Sequence, residues 1–253
     1  MKPLEEQCGE RLVFVKQQGA MRTGTNLVKF ALEENFTNVR VLVNIGRWKH
    51  APANWPFNWL GINWEGDGID ADVARRIRAE ELAAVRDAVD SGALRYAISV
   101  RNVYAWLVSY LRFEHWYDDP PLRELSDLPG DEIVQAIRQW NVLYQSYLDL
   151  LSTDPSSMVF RLEDLMASFD QTLDRTGSSW GLSRRHQRYV RPDRYLRAGV
   201  DGQSRSELFE SLPFEPGRYV ANGHLDQLDA GLLALINDIV DERLVRAYGY
   251  NLA

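Results

Sequence analysis

Cysteine is almost absent: Cys8 is the one thiol in 253 residues. An internal disulfide and a cysteine-built zinc site are therefore excluded. No run approaches the ~18 consecutive apolar residues that mark a membrane-spanning helix. The opening MKPLEEQCGERL lacks the apolar core of a secretory signal. Positive charge is in deficit, with a net charge of −7 and a pI near 5.2. That balance argues against non-specific binding to nucleic acid. Together these absences lead us to expect a soluble, cytoplasmic protein with no membrane span.

What is present suits a folded domain. Hydrophobic residues make up 45% of the chain, enough for a sizeable core. Four short runs, 12-LVFV-15, 39-VRVLV-43, 96-YAISV-100 and 158-MVFRL-162, read as buried strands. Helical patterns separate them. One starts at Thr25 or Asn26 and runs through Glu34. Others cover Ala71 to Asp90, stopped by Ser91-Gly92, Asn102 to Trp116, and Asp131 to Leu151. After the fourth strand come Leu165 to Thr176 and Leu228 to Ala247. The final segment reads as helix and loop without a clear strand. Alternating strands and helices predict an α/β fold, three-layer α/β/α around a central parallel sheet. No repeat, low-complexity tract or linker divides residues 1–253, so one domain is expected.

Two irregular segments interrupt this pattern. Residues 44–70 hold Trp48, Trp55, Trp59 and Trp64, half of the eight tryptophans. Pro52, Pro56, Gly61, Gly66 and Gly68 break any regular element there. Such a loop is either a lid or acceptor-binding loop, or one pinned to the core by its aromatics. The second segment is a basic loop, 184–220. Its first part, residues 184–205, carries seven arginines against Asp193 and Asp201. It reads as a solvated face or as an anion site.

The stretch 19-GAMRTGTN-26 falls where the first strand hands over to a helix. Backbone N–H groups and the helix dipole favour an anion at such a junction. Gly19 and Gly24 have the spacing of a phosphate-binding loop, but the lysine that should follow the second glycine is missing. Arg22 supplies a fixed charge and a planar donor fork for phosphoryl or sulfuryl oxygens. Thr23 and Thr25 add hydroxyls. An NTP hydrolase needs that lysine and a magnesium-binding hydroxyl, so ATP or GTP hydrolysis is a poor fit. After the third strand, Arg101 and Ser109 stand eight residues apart. On one helix that is about two turns, so they share a face. They either hold a second phosphate, or serve as a local ion pair and a small packing residue.

These segments together resemble a sulfotransferase using 3′-phosphoadenosine-5′-phosphosulfate, a family on a P-loop NTPase-like fold. The run 21-MRTGTN-26 matches its P-R/K-S-G-T-T/S loop. The run 101-RNVYAWLVS-109 matches R-N-P-x-D-x-x-x-S, 160-FRLEDL-165 the strand into Y-E-D-L, and 197-RAGVDG-202 the R-x-G-x-x-G loop. The resemblance implies that Arg22, Thr23, Gly24, Thr25 and Asn26 bind the 5′-phosphosulfate. It implies that Arg101, Ser109, Arg197 and the backbone near Gly199 bind the 3′-phosphate. No metal is required. Glu163 and Asp164 fall in a structural part of the pattern, as a helix start. The chain departs from the family at Met21, Asn26, Leu27, Val103, Ala105 and Leu162. Leu27 stands where many members place an adenine-stacking tryptophan.

Sulfuryl transfer to a hydroxyl needs a base for the acceptor proton and positive charge on the departing phosphate. Arg22 can supply the charge. Just past the second strand lies 48-WKHAP-52, where His50 is the candidate base and Lys49 a candidate for steadying the sulfuryl oxygens. Glu65, Asp67 and Glu114 are alternative bases. His115, His186 and His224 read as structural or exposed. The expected partners are the nucleotide donor and a hydroxyl-bearing glycan or small molecule. A phosphoryl-transfer P-loop enzyme and a non-catalytic binding protein on the same fold are the competing readings.

Overall fold

A computed structural model describes residues 11–42, 48–55, 83–115, 122, 124–192, 194–198, 209–213, 217 and 224–253. Four strands form one sheet: β1 (Val13–Gly19), β2 (Val39–Leu42), β3 (Arg95–Val100) and β4 (Met158–Arg161), in the order β2-β1-β3-β4. Every pairing is parallel, with Val13 opposite Val39, Gly19 opposite Ser99 and Val100 opposite Arg161. Helices α1 (Thr25–Asn35), α2 (residues 83–90), α3 (Val103–Glu114) and α4 (Gly130–Thr153) follow the strands or join them.

Strand alternation sends side chains to two faces. Val15, Ala97 and Phe160 pack with Val28, Leu32, Leu165, Leu173 and Trp180 on one face. Ile98 and Val100 pack with Trp106, Ile137, Trp140, Tyr144 and Ile236 on the other. At the β2 edge, Val85 and Ala88 of α2 cover Leu42. This is the three-layer α/β/α arrangement with a parallel sheet, as the alternating pattern predicts.

Several boundaries differ from the sequence reading. β1 continues through Lys16, Gln17 and Gln18, polar residues that are wholly buried. The predicted helix from Leu165 to Thr176 is in fact two, α5 (Leu162–Ala167) and α6 (Phe169–Trp180). Ser168 leaves helical geometry between them, at φ −137° and ψ 50°. The predicted helix from Leu228 to Ala247 is also two, α7 (Ala230–Ile239) and α8 (Glu242–Ala247). Asn141 clamps this break, donating to Ile239 O and accepting from Asp241 N. Asp241 then caps α8 by accepting from Arg243 N and Leu244 N, as a short acidic side chain at a helix start does. The strandless final segment is corrected too. β5 (Arg194–Ala198) and β6 (Phe209–Pro213) pair antiparallel, with Arg197 opposite Glu210. Arg197 thus lies on a strand and not on a loop; the longer arginine-bearing run obscured its pairing. Among the described residues no helix is long and apolar enough to cross a membrane.

Candidate functional site

The 19–26 turn joins β1 to α1 at the carboxyl end of the sheet. Its shape follows from two glycines and one strained arginine. A Cβ on Gly19 would stand 2.7 Å from Ser99 O, so no side chain fits. Gly24 takes φ 83° and caps α1, where a Cβ would meet Leu162 Cδ1 at 2.7 Å. Among the described residues Arg22 is the one non-glycine with positive φ, at 68°. That conformation costs an L-residue roughly 1–2 kcal/mol.

Three successive carbonyls of the turn are satisfied from within the fold. Ala20 O accepts from Thr23 N and Thr23 Oγ1. Met21 O accepts from Trp106 Nε1 at 2.8 Å, and Arg22 O accepts from Arg101 Nη1 at 3.2 Å. Thr23 is buried, and its hydroxyl proton goes to Ala20. α1 starts with no side-chain cap and no acidic residue in its first turn. The helix dipole at this end is therefore left for an anion to complement.

Two polar clusters flank the turn. On the α3 side, Arg22 Nε donates to Ser109 Oγ at 3.2 Å, and the Arg22 guanidinium lies 5.2 Å from the Phe113 ring. With Arg101 on the Arg22 carbonyl, the motif residues Arg22, Arg101 and Ser109 converge at one place. On the β2 side, Lys49 Nζ donates to Asn26 Oδ1 at 2.8 Å, and His50 Nδ1 lies 2.6 Å from Gly19 O. The Gly19 N–H donates to Lys49 O at 2.9 Å. Both peptide groups of Gly19 are thus held by the 48–50 turn. Arg22 therefore faces α3, and the cation beside Asn26 is Lys49.

A carbonyl only accepts, so His50 carries its proton on Nδ1 and presents a lone pair on Nε2. Burial, with help from the Lys49 charge, lowers the His50 pKa to about 4, against a raising effect of the Gly19 bond. Burial and then the Lys29 charge lower the Lys49 pKa to about 8. The segment carrying both is anchored. Ala51 and Ala53 are buried, and Ala53 N donates to Ser146 Oγ of α4 at 3.0 Å. Trp48 and Trp55 project outward, 53% and 59% exposed. The Trp48 and His50 rings meet edge-on, 5.0 Å between centroids.

The remaining sequence candidates fall elsewhere. Thr25 opens α1 and is buried. Gly199, Trp59, Trp64, Glu65 and Asp67 lie outside the described residues, as does the start of the predicted 71–90 helix. Glu114 is the exposed last residue of α3. His115 pairs with Glu132 and His186 with Glu34. His224 lies in the field of Arg101 and Glu163, and burial chiefly lowers its pKa. In the basic stretch, Arg184 pairs with Asp174, Arg191 with Asp170, and Arg185 donates to Glu33 O and Phe36 O. These three arginines tie the chain to α1 and α6. The sequence reading missed Trp106 and Tyr144, which hold the turn and the Arg101 backbone from α3 and α4. Their bonds span 85 and 43 positions, a distance no local spacing reveals.

No family model and no curated protein matches this sequence. Solved structures do share its architecture. A sulfotransferase domain from the Synechococcus PCC 7002 olefin synthase matches 98% of this chain and 99% of its own, at a TM-score of 0.52 and 13% identity. A sulfotransferase domain from the curacin biosynthetic pathway matches 96% and 99%, at a TM-score of 0.51 and 14% identity. The chain therefore resembles sulfotransferase domains over nearly its whole length, and it has their fold.

Proposed function

We propose that residues 1–253 form one sulfotransferase domain that moves a sulfuryl group from 3′-phosphoadenosine-5′-phosphosulfate to a hydroxyl of a glycan or small molecule. The observation that carries this reading is the pair of polar clusters on either side of one anion-ready turn. Arg22, Arg101 and Ser109 suit one phosphate of the donor, while Lys49, Asn26 and the start of α1 suit the phosphosulfate end. Fold alone does not fix an activity; the spacing of two cationic sites around the α1 terminus is what favours a nucleotide with two separate anionic groups.

In this reading the acceptor oxygen attacks sulfur in line with the departing phosphate oxygen. The new O–S bond forms as the S–O bond to the 5′-phosphate breaks, and 3′-phosphoadenosine-5′-phosphate leaves. The acceptor proton passes to Nε2 of His50. Lys49, the α1 N-terminus and the 22–26 amides offset the charge that grows on the leaving phosphate. A bound anionic donor raises the pKa values of both Lys49 and His50, which strengthens the base where it is needed. Thr23 contributes through the turn it braces. Arg197 and Gly199 belong to the same donor site by resemblance. Trp48, edge-on to His50, and the exposed Trp55 on the same segment offer the acceptor apolar surface.

Two measurements test this. Titration calorimetry should show binding of 3′-phosphoadenosine-5′-phosphate in preference to ATP with magnesium; the reverse preference would favour phosphoryl transfer. Sulfur-labelled donor, screened against sugars and hydroxylated small molecules, should label an acceptor. Donor binding without any labelled product would leave a binding protein and defeat the enzyme reading.

A further inference from the structure

A second set of contacts bears on Arg101 from behind. Tyr144, wholly buried on α4, accepts the Arg101 N–H at 2.8 Å and donates to the Arg101 carbonyl at 3.0 Å. Its one hydroxyl closes both backbone groups of that residue. The next N–H, of Asn102, donates to Glu163 Oε1 at 3.0 Å. The other carboxylate oxygen, Oε2, accepts from the Tyr250 hydroxyl at 2.7 Å. Tyr250 follows α8 and lies three positions before Ala253. Its ring is covered by the Arg161 guanidinium at 4.4 Å. Gly249, at φ 73°, lets the tail pass so close that a Cβ there would stand 3.0 Å from Arg161 Nη1.

These contacts are directional and they converge. Asn102 is the N-cap of α3, accepting from Tyr104 N. Fixing the 101–102 peptide thus fixes both the start of the helix that carries Ser109 and the origin of the Arg101 side chain. A half-buried carboxylate with both oxygens engaged, and a buried phenol engaged twice, leave that peptide little freedom.

We propose that Tyr144 and Glu163, the latter braced by Tyr250, are positioning residues that set the Arg101–Asn102 peptide for recognition of the donor's 3′-phosphate. This rests on the reading of Arg101 as a donor-phosphate residue. Glu163 is then more than a helix start. The first turn of α5, which carries it, and the segment after α8 that carries Tyr250 then both support the donor site.

The test compares 3′-phosphoadenosine-5′-phosphate with 5′-AMP, which lacks the 3′-phosphate. Wild-type protein should prefer the former. Tyr144→Phe and Glu163→Ala should each cut that preference roughly five- to tenfold, with 5′-AMP affinity kept within about twofold. Glu163→Gln should recover most of it, because one amide oxygen still accepts from Asn102 N and the Tyr250 hydroxyl can turn to accept. Tyr248→Phe is the control, since its hydroxyl donates to Tyr144 O at 2.8 Å and not to the 101–102 peptide. It should lower the melting temperature without moving the preference. Tyr250→Phe gives a second, milder route if a buried change fails to fold. An unchanged preference in Tyr144→Phe, Glu163→Ala and Tyr250→Phe, with wild type discriminating, overturns this proposal alone. A wild-type protein that binds both nucleotides equally overturns the donor-site reading and this proposal with it.

Discussion

The Nδ1 atom of His50 lies 2.6 Å from the carbonyl oxygen of Gly19. That bond gives the imidazole two separable duties. Nδ1 braces the 19–26 turn, and in the proposed transfer Nε2 would take the proton. His50→Ala removes both. His50→Asn keeps a donor close to the Nδ1 position and loses the base. At saturating donor both variants should lose ~10²–10⁴ in kcat. Only the alanine variant should also weaken binding of 3′-phosphoadenosine-5′-phosphate. A turnover number near wild type in His50→Asn would remove His50 from the chemistry and leave it as a brace.

The two lowered pKa values on the 48–50 turn predict a pH profile for the free enzyme. In the proposed reaction the base must be neutral, and His50 with a pKa of about 4 is neutral across the physiological range. The cation must be protonated, and Lys49 with a pKa of about 8 loses its charge above that pH. kcat/KM should therefore form a bell, with an acid limb near 4 and an alkaline limb near 8. Lys49→Arg should push the alkaline limb out of range while keeping activity. An alkaline limb that stays in place in Lys49→Arg belongs to another group. Stability has its own sign here. Unfolded His50 takes up a proton below about 6.5 and folded His50 only near 4. This residue's contribution is thus full above pH 6.5 and declines between those values as pH falls.

The parallel sheet was legible because strands buried on both faces read as apolar runs. Ala97 to Val100, buried at every position, shows this directly, and β2 does so apart from the half-exposed Arg40. β1 was only half legible, because Lys16, Gln17 and Gln18 are polar and still sit at zero exposure. The hairpin of β5 and β6 was missed, since neither strand alternates clearly and arginines dominate the first. In the candidate site, the convergence of Arg22, Arg101 and Ser109 was legible because two motifs, at 21–26 and 101–109, keep their residues together. It was opaque where one long-range bond does the holding. Tyr144 and Trp106 look like core residues in the sequence, and they are core residues. Their polar atoms are what reach the Arg101 backbone and the Met21 carbonyl.

Arg101 donates to the Arg22 carbonyl and Arg22 to Ser109, so a donor phosphate would meet these side chains as one group. Arg101→Ala removes a charged phosphate contact, worth roughly 1.5–3 kcal/mol, while Ser109→Ala removes a neutral one, worth about 0.5–1.5 kcal/mol. Calorimetry with 3′-phosphoadenosine-5′-phosphate should rank the losses in that order. The double variant should lose less than the sum, because shared partners couple. Unchanged affinity in Arg101→Ala would end its assignment to the donor.

Gly24 and Gly92 both take left-handed backbone, at φ 83° and φ 65°. They differ in their surroundings. A Cβ on Gly92 meets nothing within 4 Å, whereas one on Gly24 meets Leu162 Cδ1 at 2.7 Å. Gly92→Ala should therefore cost only the conformational strain, roughly 1–2 kcal/mol. Gly24→Ala should cost that and a steric term, because Leu162 is buried at the head of α5 and has little room to retreat. Denaturant unfolding of the two variants checks the difference. In a Leu162→Ala background the gap should close, since the clash is then gone and the strain alone remains. Nucleotide binding separates the glycines further. Gly92 lies at the opposite end of β3 from the turn, so its variant should bind donor normally. Gly24→Ala should bind weakly even when fully folded, because a shifted cap redirects the first amides of α1. Equal unfolding costs with and without Leu162 would mean that the turn yields easily at Gly24, and that the pairing of this glycine with Leu162 does not fix its shape.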